Sequence, residues 1–193
     1  FFKPAHPLTQ PRSHDVPTNS PEIKSFVTHL ECSQTGAQYP SNTLHNLSTV
    51  GKPLLVRYDL PLIAKTLTRT ALRPRPQDLW RYRELLPLTE PPISIGESIT
   101  PSLDCQKLAA DLDLSEVLIK DEGRLPTGSF KARGIALAVN MAKSLGVQRM
   151  AIPTNGNAGA ALAAYCAAAR IEAICFCPDD TPQVNLQEMA YYG

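Results

Sequence analysis

The sequence predicts an α/β fold built on a parallel sheet and entered through an irregular N-terminal region. Two observations carry this. From Glu116 onward, strand-length apolar runs alternate with single helix-length runs: 116–120, then a helix to about Leu145, then 149–152, then a helix from Ala160 to Arg170, then 172–177. Strands separated by single helices imply parallel pairing with right-handed crossovers. The composition also shifts along the chain. Of 18 prolines, 13 lie in residues 1–100, whereas 8 of the 10 glycines lie from Gly96 onward. The first half therefore reads as a wrapped, irregular segment and the second as compact alternating structure.

The composition excludes several function classes. A hydrophobic share of 43% and a charged share of 19% are those of a soluble globular protein. The net charge of +1 gives no electrostatic reason to invoke nucleic acid or a membrane surface. No apolar run approaches the roughly 20 residues that cross a bilayer. Five cysteines (Cys32, Cys105, Cys166, Cys175 and Cys177) are odd in number, scattered and mostly set in apolar stretches. They read as free thiols in a reducing cytoplasm, with the last three in the core. The chain begins at Phe1, so a fragment or a processed chain is expected, and residues 1–21 show no secretory signal.

Taken in order, residues 1–25 form a proline-rich leader too polar to pack. Residues 26–60 read as strands at 26–30 and 53–58, separated by two turns ending in Gly36 and Gly51. Two such turns have the layout of paired zinc knuckles. The four ligand positions would be Cys32, Thr35, Leu47 and Val50, a set with a single thiolate that cannot hold zinc. The expectation is a degenerate zinc-ribbon-like segment with packing in place of metal. Metal held by Cys32, His29 and His45 is the disfavoured alternative. Residues 61–100 connect this segment to the rest. They contain a short helix at 62–67, a stiff Arg-Pro linker at 73–76 and an amphipathic helix at 77–86 whose Arg81 and Arg83 read as a solvated face. Thr100 and Pro101 have the chemistry of an N-cap and first helical residue, predicting a helix to Leu112. The compact α/β part is expected over 101–193, with Thr181-Pro182 capping a last helix to Tyr191.

Chemistry concentrates on two loops. Pro126 to Gly134 places Lys131 in the first turn of a helix, directly after a strand and a Gly-containing loop. A helix N-terminus disfavours cations, and a neutral amine is a nucleophile. Residues 154–159 form the other loop, offering backbone N–H groups at a helix start to an anion, with the Asn157 amide beside them. Both loops would lie at carboxyl ends of consecutive strands, where such sheets bind ligands. An amine, an anion cradle and an amide donor suit pyridoxal phosphate bound to an amino acid. The plainer readings are a surface Lys131, glycines serving only a tight turn and close packing, Asn157 as an N-cap, Arg133 as an ion-pair residue and Phe130 in the core.

The sequence resembles the fold-type II pyridoxal-phosphate enzymes, and within them the threonine synthases. The resemblance rests on the 95–101 run Ile-Gly-Glu-Ser-Ile-Thr-Pro, Ile119 to Glu122, Pro126 to Gly134, Gly156 to Gly159, and Phe176 to Pro182. It implies a three-layer parallel-sheet domain of the tryptophan synthase β-like class, with part of that domain beyond residue 193. It implies Lys131 as the Schiff-base lysine and proton shuttle, and Asn157 as the partner of the cofactor's 3′-oxygen. Thr154, Asn155 and Gly156 are then the loop around the substrate carboxylate, with no metal. The implied reaction converts O-phosphohomoserine and water to threonine and phosphate, in the cytoplasm; a homodimer is one expectation for the complete enzyme. Ala132 stands where the family often has Asp, and Asn155 where Ser or Ala is usual. The family's cup for the cofactor phosphate and the partner of its ring nitrogen lie further along, so residues 1–193 alone are expected to bind the cofactor weakly or not at all. Alternatives are a related ammonia-lyase (threonine dehydratase or diaminopropionate ammonia-lyase), a cysteate synthase, and a non-enzymatic pseudoenzyme or interaction module.

Overall fold

The computed structural model describes residues 25–192. Nearly all of the proline-rich leader lies outside them. Three small sheets and six α-helices are present among the described residues.

The N-terminal sheet is antiparallel, in the order β2-β1-β3, with β1 at Val27–Cys32, β2 at Gln38–Tyr39 and β3 at Leu54–Tyr58. The turn after β1 closes with Gly36 N–H on the Cys32 carbonyl, and the turn before β3 with Gly51 N–H on the Ser48 carbonyl. Both glycines sit at φ near +70°, where a side chain is disfavoured. The inward-facing pair differs from the expected ligand positions. Leu47 and Val50 are each half exposed, while Cys32 and Ser48 are buried. A 3.2 Å hydrogen bond joins Cys32 Sγ to Ser48 Oγ. The bond from Lys52 N–H to Ser48 Oγ turns Ser48 inward and leaves its neighbours in solvent. His45 bonds the Pro40 carbonyl and Thr43, and His29 bonds Thr28.

Helices α1 (Leu60–Thr66) and α2 (Arg69–Leu72) follow, N-capped by Asp59 and Thr68. The predicted helix over 77–86 is instead a 3₁₀ run, Leu79–Leu85, broken at Tyr82. Arg75 is not a free linker residue: it donates twice to the buried Glu84 carboxylate, at 2.6 and 2.7 Å. Arg83 is half exposed, as expected of a solvated face, but Arg81 turns back to the Leu72 carbonyl.

Two expectations fail between residues 100 and 120. Ser102–Asp104 is a strand, β4, and the helix that follows, α3, covers only Gln106–Asp111. Leu118–Lys120, β5, pairs antiparallel with β4 rather than joining the parallel sheet. Bonds from Cys105 N–H to the Val117 carbonyl and from Asp121 N–H to the Pro101 carbonyl extend this hairpin. They consume the backbone groups that a helix starting at Pro101 would have needed.

The parallel architecture appears next. Helix α4 (Lys131–Ser144) leads to β6 (Arg149–Pro153), α5 (Asn157–Ala169), β7 (Glu172–Phe176) and α6 (Gln183–Tyr192). Strands β6 and β7 pair in parallel register across α5. The core lies where α4 meets α5. Ala132, Ala136 and Val139 pack with Leu162, Tyr165, Cys166 and Ala169, and Leu125 and Ile171 close the ends. Small alanines let the two helix backbones approach closely. Cys166 is buried in this core, Cys175 packs against it partly buried, and Cys177 is half buried beside Met189.

Candidate active site

Lys131 begins α4. A tight turn at Pro126–Gly128 precedes it and packs against both α4 and α5. Ser129, buried, accepts the Lys131 backbone N–H at 3.3 Å and so caps the first turn. The Lys131 side chain is exposed, and no carboxylate among the described residues pairs with it. Its Nζ lies 4.8 Å from the centre of the Phe130 ring. Phe130 is thus not a core residue: it is 61% exposed and offers its ring face to the amine.

Arg133, one half-turn on, is the ion-pair residue that its plainer reading suggested. Its Nε and Nη2 donate to Glu122 at 2.5 and 2.9 Å, and Thr100 donates to the same carboxylate at 2.5 Å. Arg133 chiefly, with Thr100 and the Lys120 charge assisting, brings the Glu122 carboxyl down to about 2. The pair clamps the first turn of α4 to the end of the β4–β5 hairpin. Lys131 is therefore held between a hairpin and a helix core.

The second loop joins β6 to α5. Thr154 Oγ1 accepts the N–H groups of Gly156 and Gly159, each at 3.2 Å. The Gly156 N–H is thereby used inside the loop. Asn155 is exposed, and its carbonyl accepts from Asn185 of α6. Gly156 holds the N-cap position, so Asn157 is the first helical residue and not the cap. The Asn157 side chain is exposed and makes no hydrogen bond to any described residue, and the N–H groups of Asn157 and Ala158 are equally free. A Cβ at Gly159 would stand 2.5 Å from Thr154 Cγ2 and closer still to the Met189 sulfur. Glycine is required there because α6 and the loop close over it. The loop thus presents a free amide and two free backbone donors at a helix start, the chemistry of an anion and oxygen cradle.

The two loops do not come from neighbouring strands of one sheet. The 126–128 turn and α4 reach the second loop by packing on α5. Two buried hydroxyls, Thr127 Oγ1 in the 126–128 turn and Thr181 Oγ1 just before α6, have no hydrogen-bond partner among the described residues. Thr181 therefore does not cap α6 with its side chain.

Behind the loops lies a residue that the sequence reading used only as part of a motif. Glu97 has no exposed surface, and its carboxylate receives four donors: Trp80 Nε1 at 3.0 Å, Ser94 Oγ at 2.5 Å, Ile95 N–H at 2.9 Å and the Tyr165 hydroxyl. Burial opposes its charge, yet the Ser94 and Tyr165 hydroxyls and the Ile95 N–H outweigh burial and hold the carboxyl below its usual range. Tyr165 is pushed up by burial first and by the Glu97 carboxylate second. Tyr165 belongs to α5, and the next residue after Glu97, Ser98, accepts from Arg133 through its carbonyl. The network ties both site-bearing helices to the 94–98 segment. The only sequence signal was an acid inside the 95–101 motif.

The family described as pyridoxal-phosphate dependent enzyme matches residues 93–193, more than half the chain. A protein named threonine synthase from Methanosarcina acetivorans is 35% identical over 151 residues, covering 78% of this chain and 37% of that protein. Another so named, from Methanocaldococcus jannaschii, is 33% identical over 165 residues, covering 84% of this chain and 41% of its own length. This chain thus spans well under half of either relative. A solved pyridoxal 5′-phosphate-dependent aspartate racemase is 29% identical, with a TM-score of 0.46 over 49% of this chain and 30% of its own. With the matched region running from Ile93 through both loops and all of α4, α5 and α6, the chain belongs to the pyridoxal-phosphate-dependent enzyme family.

Proposed function

We propose that this chain supplies the lysine-bearing part of a threonine synthase, converting O-phosphohomoserine and water to threonine and phosphate. The observation that carries the reading is Lys131: an exposed amine in the first turn of α4, paired with no described carboxylate, on a helix packed against the one that the donor loop opens. The names of the relatives support this choice of reaction within the family.

The residues present fit the family's cofactor at its reactive end. Lys131 would hold pyridoxal phosphate covalently, Asn157 would donate to its ring oxygen, and the Asn157 and Ala158 N–H groups would face an anionic group. The orphaned hydroxyls of Thr127 and Thr181 are further unsatisfied polar atoms for a ligand to meet. When bound, the cofactor supplies an electron sink for carbanion chemistry beside the substrate's amino group. The protein's own part is positional and acid–base. Lys131 takes and returns protons at the substrate's α-carbon and its neighbours. The 154–156 loop orients the substrate carboxylate, with Thr154 fixing the loop's shape and Asn155 at its rim. The Glu122–Arg133 clamp keeps the lysine turn in place.

The segment boundaries extend this reading: a leader at 1–25, a ribbon-like segment at 26–60, a connection at 61–100 and the first part of the catalytic domain at 101–193. The Cys32–Ser48 bond supports a ribbon whose metal has been replaced by packing. No group of three or more His, Cys, Asp or Glu among the described residues is placed to hold a metal. Cytoplasmic placement is part of this proposal and rests on the biosynthetic reaction; separately, no described helix is long and apolar enough to cross a membrane.

Phosphate release from O-phosphohomoserine, measured on the complete polypeptide that carries this chain, tests the reaction. Release that disappears in Lys131→Ala is expected. Ammonia release from threonine or serine with no phosphate release from phosphohomoserine sinks the synthase reading.

A further inference from the structure

Three non-glycine residues among those described have positive φ: Asp113, Thr127 and Arg170. Arg170 is the C-cap of α5, and Asp113 lies just past the end of α3. Left-handed residues are ordinary at helix ends. Thr127 is different. It sits at φ 61° and ψ 21° in the middle of the turn that leads to Lys131. A β-branched residue is poorly suited to that conformation, and glycine would adopt it without strain. The turn already has glycine at the next position, Gly128, at φ +64°. The Thr127 hydroxyl adds a second cost, because it is buried with no partner among the described residues. A buried hydroxyl left without a bond is unfavourable. Neither cost is offset by a contact that the hydroxyl makes within the described fold. Strain and an orphaned donor in one residue, four positions before the lysine amine, point to a ligand as the missing partner.

We propose that Thr127 is a positioning residue for the ligand held at Lys131, its hydroxyl donating a hydrogen bond to an oxygen of the pyridoxal compound. This rests on the reading of Lys131 as the residue that holds that compound. The oxygen belongs either to the ring or to the phosphate. Donation fixes the ligand against the 126–128 turn, and that turn packs on α5, which carries Asn157. One side of the ligand is then met by Thr127 and the other by the α5 start.

The test reads site selectivity and stability, not catalysis. The complete polypeptide that carries this chain is exposed briefly to pyridoxal phosphate and reduced with borohydride, which fixes a lysine–pyridoxal linkage as a stable secondary amine. Peptide mass mapping gives labelling at Lys131 relative to the exposed Lys107 and Lys143. The unsubstituted chain is expected to favour Lys131. Thr127→Val keeps the branched shape without the hydroxyl and lowers that preference about tenfold, the factor carried by one hydrogen bond to a polar or charged oxygen. Thr127→Ser restores the preference to within about twofold, since the same donor is present. Thr127→Gly also lowers it, yet its Tm stays at or above that of the unsubstituted chain, because the strain is gone. A parallel series with pyridoxal identifies the oxygen: a Val effect that persists without the phosphate assigns the ring oxygen, and one confined to pyridoxal phosphate assigns the phosphate. Equal preference in the Val variant and the unsubstituted chain overturns the proposal, as does a Ser variant that loses as much as Val. A Tm lowered by glycine overturns the strain argument. Absence of any preference for Lys131 in the unsubstituted chain overturns both this inference and the reading of Lys131 beneath it.

Discussion

Glu97→Ala is the substitution whose cost the structure specifies most closely. The carboxylate has no exposed surface and takes four donors. Ser94 is exposed and its hydroxyl can turn to water. The fully buried Tyr165 hydroxyl cannot do so, and the part-buried Trp80 indole N–H and Ile95 N–H recover water only in part. Each buried donor left without a partner costs about 1–3 kcal/mol, and cavity water recovers part of it. The net loss for alanine is about 4 kcal/mol, the cost of the stranded donors less what water returns. That is a quarter or more of the stability of an ordinary domain. Tyr165→Phe removes a single bond to the carboxylate and should cost about 2 kcal/mol. Trp80 is the chain's one tryptophan, so urea unfolding followed by its fluorescence reports on the residue that loses its bond. The measurement belongs at pH 7. Because the folded carboxyl is held below its usual range, its contribution is complete above the unfolded value of about 4.3 and is lost as pH falls through the folded value. An alanine variant within about 1 kcal/mol of the parent would refute the claim that this network joins the 94–98 segment to α5.

Two further outcomes are expected. Gly159→Ala forces a Cβ against Thr154 and Met189, which should cost about 1–3 kcal/mol of overpacking and weaken ligand binding at the 154–159 loop, read by urea midpoint and by labelling at Lys131. Cys32, brought down to about 6 by hydrogen bonds from Ser48 first and Thr35 second, should make stability rise with pH from about 6 until the unfolded thiol ionises near 8.5; urea midpoints across that window should flatten in Cys32→Ala.

The local structure around the candidate site residues is legible because its signals are local. Lys131 after a Gly-containing loop, and glycines at 156 and 159 before an alanine-rich helix, each declare their structure within ten residues. What failed required distant partners. Thr100-Pro101 has the chemistry of a helix start, and Leu103, Leu108 and Leu112 fit helical spacing. Pairing of Ser102–Asp104 with Leu118–Lys120 overrode both, and Thr100 gave its hydroxyl to Glu122 instead of a helix end. Hydrophobicity alone places Phe130 in the core and does not register that its ring lies against the neighbouring lysine in solvent. Ser48 replaced Leu47 as the inward residue because a turn one residue shorter changes which side chain faces in.

The loss of a shared sheet does not loosen the site, because another element sets its geometry. Lys131 and Asn157 each stand at the start of a helix, and those helices meet through Ala132, Ala136 and Val139 against Leu162, Tyr165 and Cys166. The spacing between the two loops is therefore a helix–helix distance, fixed by the volume of small side chains rather than by strand register. This also gives a physical reason for Ala132, the residue after the lysine. It has no exposed surface and lies in the α4–α5 seam. An aspartate there would need a buried partner, and the nearby guanidinium, Arg133, is already taken by Glu122. In this chain the turn that carries the lysine is anchored by packing on one side and by the Glu122–Arg133 clamp on the other, and an acid at 132 would set those two anchors against each other.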